Sequence, residues 1–243
     1  MKYYYDLHVH SCLSPCGDED STPNSIAGIA SLSGLNIVAL TDHNTTKNCA
    51  AFFEAASRYG IVPVAGMEFT TSEDIHVVCL FENLSDATRF DEELDEYRAP
   101  IMNKPSIFGE QLIMDSCDNV IGSIDELLIT ASTLSIEEII PRVERHDGVC
   151  YPAHIDRASN SITAILGAIP KEYGFRFFEI HDKLQTDELC KRHGINKENI
   201  IISSDAHYLT DIRDGENYLE LDAPVDSPDA VREKLFELLR GKL

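Results

Sequence analysis

Between residues 3 and 65, three short apolar runs, Tyr3–Leu7, Ile37–Leu40 and Ile61–Ala65, are separated by two helical patterns. Strands joined by crossovers of this length cannot turn back as hairpins, so the pattern predicts parallel strands with helices outside them. The helix boundaries are written in local chemistry. Thr22-Pro23 offers an N-cap followed by proline at the first helical position, Gly34 stops that helix, and Gly60 ends a second one around Asn48–Tyr59.

The grammar changes after residue 75. Ile75–Phe81 reads as a strand and Asp86–Tyr97 as a helix, but Arg98–Ile129 has weak periodicity, so residues 82–134 are expected to leave the core as an excursion or insertion. Ser135 and Glu138 spell a capping box for a helix that ends before Gly148. Val149–Pro152, Arg176–Ile180 and Ile200–Ser203 supply further strands, and a last helix runs from Ser227-Pro228 to Gly241. The length, 243 residues, suits one domain carrying that excursion.

With 42 acidic against 20 basic residues, the formal charge is −22. Such a surface repels phosphate backbones and anionic lipid heads, so stable nucleic-acid binding and membrane association are not expected. No run reaches the ~20 apolar residues of a membrane span, and MKYYYDLHVH lacks the apolar stretch of a signal peptide, so a cytoplasmic location is the expectation. The seven cysteines form no CxxC pair and read mostly as small buried residues.

Five polar clusters sit at or just beyond predicted strands: Asp6-Leu-His8-Val-His10, Thr41-Asp42-His43, Glu68, Pro152-Ala-His154 and Ser203-Ser-Asp205-Ala-His207. In an α/β barrel the carboxyl ends of the strands converge on one face, which is where a site would be assembled. His8 and His10 are two apart on an extended segment, so both imidazoles project to the same side and can grip one ion. Imidazole with carboxylate suits zinc, manganese or iron, and the scarcity of thiolates argues against a closed structural zinc site. Asp6 and Asp42 each adjoin a histidine; either can be a ligand, and the favoured role is a carboxylate that accepts the proton of a ligand imidazole's far nitrogen. His146, His193 and His181 read as structural, and Glu179, an acid inside an apolar strand, has no assigned part.

The ordered set DLHVHSCLSPCGD, TDHN, GMEF, PAH and SDAH resembles the PHP (polymerase and histidinol phosphatase) family of metal-dependent phosphoesterases. The resemblance implies a distorted, TIM-like (β/α)7 barrel with up to three divalent metal ions at the carboxyl face. It implies that His8, His10, Glu68 and Asp205 hold the first, that Glu68 bridges to a second held also by His76 and His154, and that His43 and His207 hold a third. Relatives complete the third with a histidine or aspartate where this chain has Cys16, with Asp18 two residues on; either residue can take that part.

In such a site a bridging hydroxide between two cations is the nucleophile toward a small phosphomonoester: a nucleoside phosphate, a sugar phosphate or histidinol phosphate. Arg157 is placed to share the phosphoryl charge, its plainer alternative being a surface ion pair, and His207 or His43, if free of metal, could act as general acid. Two rivals stand beside this. An amidohydrolase barrel also opens with HxH but commonly bridges its metals with a modified lysine, and only Lys183 follows a strand here. A non-catalytic, metal-stabilised scaffold is the other, although all eight principal ligand positions are filled.

Overall fold

The computed structural model describes residues 1–242. Its first elements are β1 (Lys2–Val9), α1 (Pro23–Leu32), β2 (Ile37–Leu40), α2 (Cys49–Tyr59) and β3 (Val62–Thr70). The Thr22 side chain accepts from the Ser25 amide to start α1, and Gly60 closes α2 at φ +69°, a left-handed conformation that glycine adopts without steric penalty. Strands β1, β2 and β3 pair in parallel, as the helical spacers require.

Two departures from the sequence expectation shape the site. Strand β3 continues through Gly66–Thr70, so Glu68 lies inside it rather than beyond it. The extension is possible because β4 (His76–Phe81) pairs alongside, Glu68 opposite Val78. That pairing is antiparallel, since the short turn between Thr70 and His76 leaves no room for a crossover. The reversal brings His76, the first residue of β4, to the same edge as the end of β3.

Helix α3 (Leu84–Leu94) buries Ala87, Phe90 and Leu94 in the main core, so residues 82–97 belong to the core layer and not to the excursion. The true departure starts near Arg98. It contains one helical turn, α4 (Pro105–Phe108), and a hairpin of β5 (Leu112–Met114) and β6 (Val120–Ser123) with its own two-stranded sheet. The chain rejoins the core at α5 (Ile136–Arg145), where the Ser135 amide donates to Glu138 Oε2 at 2.9 Å.

Strand β7 (Gly148–Pro152) pairs antiparallel to β4 and therefore runs with β3. After α6 (Ile162–Leu166) come β8 (Phe178–Ile180), α7 (Thr186–His193), β9 (Ile200–Ile202), β10 (Tyr218–Glu220) and α8 (Pro228–Leu239). The large sheet has the order β10-β1-β2-β3-β4-β7, and β8 with β9 forms a separate parallel pair. Single backbone bonds tie that pair to the large sheet: Ile155 N donates to Glu179 O at 2.8 Å, and His10 N to Ala206 O at 2.9 Å. The fold is thus mixed α/β with a curled sheet, in which the parallel run of β1 to β3 is followed by the antiparallel β4.

Apolar side chains alternate across the curl. Val77, Cys79 and Phe81 pack outward under the helices with Phe52 and Phe90, whereas Val78 and Leu80 pack inward with Leu7, Val64 and Tyr151 and are capped by Leu235 and Phe236 of α8. Covering both faces is why β2 and β3 are buried at every position. Among the described residues, no helix is long and apolar enough to cross a membrane.

Candidate metal centre

The ends of β1 and β3, the loops after β2, β7 and β9, and the start of β4 meet at one edge of the curl. The two-residue period of β1 places His8 and His10 together, their Nε2 atoms 3.0 Å apart. Glu68 lies between two sets of imidazoles. Its Oε1 is 2.8 Å from His76 Nδ1 and 3.0 Å from His154 Nε2. Its Oε2 is 3.0 Å from His43 Nδ1, 3.4 Å from His10 Nε2 and 3.5 Å from His8 Nε2. Asp205 Oδ1 faces His10 Nε2 at 3.2 Å and His8 Nε2 at 3.4 Å, while its Oδ2 is 2.5 Å from Arg157.

Three overlapping groups result, each with ligand atoms within 4.8 Å of one another: His8, His10, Glu68 and Asp205; His43, Glu68 and His76; His10, His43 and His207. The overlap differs from the expected grouping in that His10 and His43 each serve two sets. His154 reaches Glu68 only through Oε1.

The imidazoles are oriented from behind. His8 Nδ1 is 2.9 Å from Glu179 Oε1, which also accepts from the His154 amide at 3.1 Å. His10 Nδ1 is 3.0 Å from Ser14 Oγ, whose own proton goes to Asp42 Oδ1 at 2.7 Å. These partners take the proton of the far nitrogen of each ring, which leaves Nε2 as the atom each ring can offer to a cation at the centre. The expected roles of Asp6 and Asp42 are revised accordingly. Asp42 acts on His10 through Ser14, and Asp6 touches no imidazole: it accepts from the amides of Ser204 and His8, pinning the Asp205 loop to β1. The carboxylate behind His8 is Glu179. Its signal in the sequence was a lone acid within the apolar Phe177–Ile180 run. Asn44, His154 and Asp205 hold positive φ values of +54°, +29° and +52°, backbone strain of the kind that collects at functional sites.

Burial alone would raise the Glu68 carboxyl, but the surrounding histidines outweigh it and hold the group well below its ordinary value. Burial opposes charge on His10 too, yet Asp205 and Glu68 push it up to about 9, and Glu179, Asp205 and Glu68 likewise hold His8 well above its ordinary value. His43 and His207 go the other way: burial lowers His43 well below its usual range and, helped by His10, brings His207 down to about 4. The arrangement fits divalent cations. His43 Nδ1 and Asp205 Oδ1 are buried without a hydrogen-bond partner, and two imidazole lone pairs 3.0 Å apart repel unless a proton or metal ion lies near them. An imidazole and carboxylate donor set suits zinc, manganese or iron.

The remaining expectations divide. Neither Cys16 nor Asp18 contributes to any of the three groups. Cys16 is exposed in the loop before Asp18, its thiol pushed up to about 12 by desolvation and then by the nearby carboxylates of Glu68 and Asp205. The Asp18 carboxylate caps its own turn at the Asp20 amide, 2.9 Å away. Arg157, 40 % exposed, is both an ion-pair partner of Asp205 and a lining residue of the cleft, an open space of about 300 Å³ that also touches His43, Glu68, His154 and His207. His181 stands apart, against Arg213, and His146 pairs with Glu93. Lys183 is bonded to Asn217 and not to the cluster. The 98–134 excursion contributes no residue to this cleft.

Imidazoles and carboxylates gathered at one edge of a curled α/β sheet define a protein built to carry divalent metal ions. The chain belongs to the PHP domain family, whose sequence profile matches residues 6–175. A curated relative, an uncharacterized protein of Methanocaldococcus jannaschii, is 31% identical over a stretch covering 32% of this chain and 50% of that one. Among solved structures, the lesion-specific endonuclease Q of Pyrococcus furiosus superposes with a TM-score of 0.65 at 20% identity, covering 99% of this chain and 56% of the endonuclease. Endonuclease Q is also known in complex with a 27-mer duplex substrate with an abasic lesion at the active site, TM-score 0.66. A Bifidobacterium adolescentis protein described as a metal-dependent phosphoesterase gives 0.57 at 20% identity, covering 96% of both chains. At these identities the structural likeness speaks to the fold alone, and this chain spans about half the length of the first relatives it matches.

Proposed function

We propose that this chain is a single PHP-type domain, residues 1–243 with an insertion at 98–134, that hydrolyses a small phosphomonoester with the help of divalent metals. The observation that carries the reading is Glu68, whose two oxygens face different imidazole sets as a bridging carboxylate requires. When bound, a pair of divalent ions supplies an ionised water as nucleophile and neutralises the phosphoryl oxygens. In this chain His8, His10, Glu68 and Asp205 would hold the first ion, Glu68, His76 and His154 the second, and His43 with His207 a third that borrows His10. Cys16 and Asp18 stand outside that third group. The reversed β4 supports this assignment, since it brings His76 to the end of β3 beside Glu68.

Around the substrate, Arg157 presents guanidinium donors at the cleft wall, where a phosphate oxygen can accept two of them. Asp205 orients that guanidinium while turning its other oxygen inward. His207 and His43, held neutral near pH 7 by burial, offer lone pairs to a metal and are poorly suited to deliver a proton. The leaving alcohol is then protonated from solvent at the open mouth. Lys183, bonded away from the cluster, cannot bridge metals, which speaks against the amidohydrolase alternative.

The likeness to endonuclease Q favours a second reading, a phosphodiester within nucleic acid, and the charge of −22 opposes it. One assay separates them: release of phosphate from nucleotides, sugar phosphates and histidinol phosphate, against cleavage of an abasic-site duplex, each with Mn²⁺ and with chelator. Turnover of a monoester, abolished by chelator, is the expected result. Duplex cleavage without monoester turnover replaces the reading with the nuclease one, and a metal-loaded protein inactive on both is a scaffold.

A further inference from the structure

The excursion from Arg98 to Leu134 stays out of the cleft, yet it is bonded at two points to the residues that carry the site. At the first point, the wholly buried Asn48 accepts from the Met114 amide at 2.9 Å and donates to Leu112 O at 3.1 Å. The same amide group donates to Ser11 Oγ at 2.9 Å, Ser11 donates to Asp42 Oδ2 at 2.7 Å, and Asp42 accepts from Ser14 beside His10 Nδ1. Ser14 Oγ also accepts from the His43 amide at 3.1 Å. An unbroken, buried polar chain thus runs from β5 of the excursion to the ring of His10.

At the second point, Asn44, the residue after His43, donates to Leu128 O at 2.6 Å and Thr130 O at 3.1 Å. Its Oδ1 accepts from the Thr70 amide at 2.8 Å, and its own amide donates to Glu68 O at 3.0 Å. Arg98, where the excursion begins, donates from Nε to Asn44 O at 3.1 Å. Asn44 holds φ +54°, a conformation that these bonds maintain.

We propose that the excursion is a clamp on the metal-binding loops and not a lid over the substrate, with Asn44 and Asn48 as its positioning residues. Asn48 fixes the orientation of His10 through Ser11, Asp42 and Ser14. Asn44 fixes the place of His43 against β3. Together they set the affinity of the His10, His43 and His207 group for a divalent cation. Buried amides bonded on every side are suited to this, because each lost partner leaves a desolvated group unsatisfied and the loop shifts to recover it. The inference rests on the metal centre proposed above and is independent of what the substrate is.

The test reads metal binding with no substrate present, by titrating Zn²⁺ or Mn²⁺ in competition with a chromophoric chelator. Asn48→Ala, acting on His10, is expected to weaken by about 10- to 100-fold the two classes of ion that share His10, and Asn44→Gly, acting on His43, to weaken the His10, His43 and His207 class by a similar factor, the scale seen when groups behind a ligand are removed. Glycine accepts the positive φ at position 44, so Asn44→Gly deletes the side chain without backbone strain and carries the test if Asn48→Ala fails to fold. Asn48→Ala combined with Ser14→Ala should bind no more weakly than the weaker single variant, since both break the same chain. The Co²⁺-loaded protein should show altered absorption only for ions held by His10 or His43 and an unaltered band for the ion held by His76 and His154, which general loosening of the fold would not produce. Unchanged affinity in folded Asn44→Gly and Asn48→Ala overturns the clamp. So does a raised KM at unchanged metal affinity, which makes the excursion a lid after all.

Discussion

On the β1 side of the cleft, each imidazole nitrogen turned away from the centre has a fixed partner, Glu179 for His8 and Ser14 for His10, and all four side chains are buried. On the side built after β7 and β9, the His207 side chain is 22 % exposed and Arg157 is 40 % exposed. The two walls differ in what they are asked to do. Ligands that must hold a cation in one geometry are locked by hydrogen bonds, because a loosely held imidazole loses affinity to its own motion. Groups that meet an incoming substrate face solvent and keep their freedom until it arrives.

Variants on the two walls should therefore fail in different ways. The largest effect belongs to the β1 wall: His8→Ala/His10→Ala should reduce bound metal to background and abolish turnover, checked by elemental analysis of purified protein. Equal metal in variant and parent would remove the distinction altogether. Next is Glu68→Gln, which keeps the shape but removes the charge shared between the sets; turnover should fall about 10²–10³-fold, as for loss of one major electrostatic contact to the reacting group. Steady-state kinetics at saturating metal would show it, and near-normal turnover would reject the bridge.

From the open wall, Arg157→Ala should lower kcat/KM by about 10- to 100-fold, the worth of one charge-assisted bond to a phosphate, while metal content stays unchanged. A loss of metal in that variant would mean that its pairing with Asp205 matters more than any contact with substrate. The smallest effects are expected at Cys16 and Asp18. Cys16→Ser and Asp18→Asn should leave metal stoichiometry unaltered, and alkylation of Cys16 should proceed at the same rate with and without metal. Protection of the thiol by metal would instead make it a ligand and sharpen the third group.

Much of the site was legible as spacing. His8 and His10 share a face because a strand has a two-residue period, and Asp205-Ala-His207 follows the short apolar run Ile200–Ser203 that reads as a strand. Glu68 was recognisable as an acid near a strand end, though its place inside β3 was not, because the residues after Ala65 carry no signal that pairing continues. The partner that extends the strand is β4, and pairing direction is set by the turn and the available edge. Likewise nothing in Ser11, Ser14, Asn44 or Asn48 announces a polar chain. Each is an ordinary loop or cap residue until burial leaves it one set of partners.

The sequence by itself determined the helix caps, the parallel β1–β3 core, the donor types that suit divalent metals and the order in which they occur, since these follow from local sterics, periodicity and side-chain chemistry. Only the tertiary structure decided that β4 runs backward to deliver His76, that Glu179 and Ser14 stand behind the two ligand histidines, and that residues 98–134 are fastened to the metal loops while contributing nothing to the cleft. These depend on which distant groups are desolvated together, and a buried polar atom takes its partner from whatever the whole fold leaves within reach.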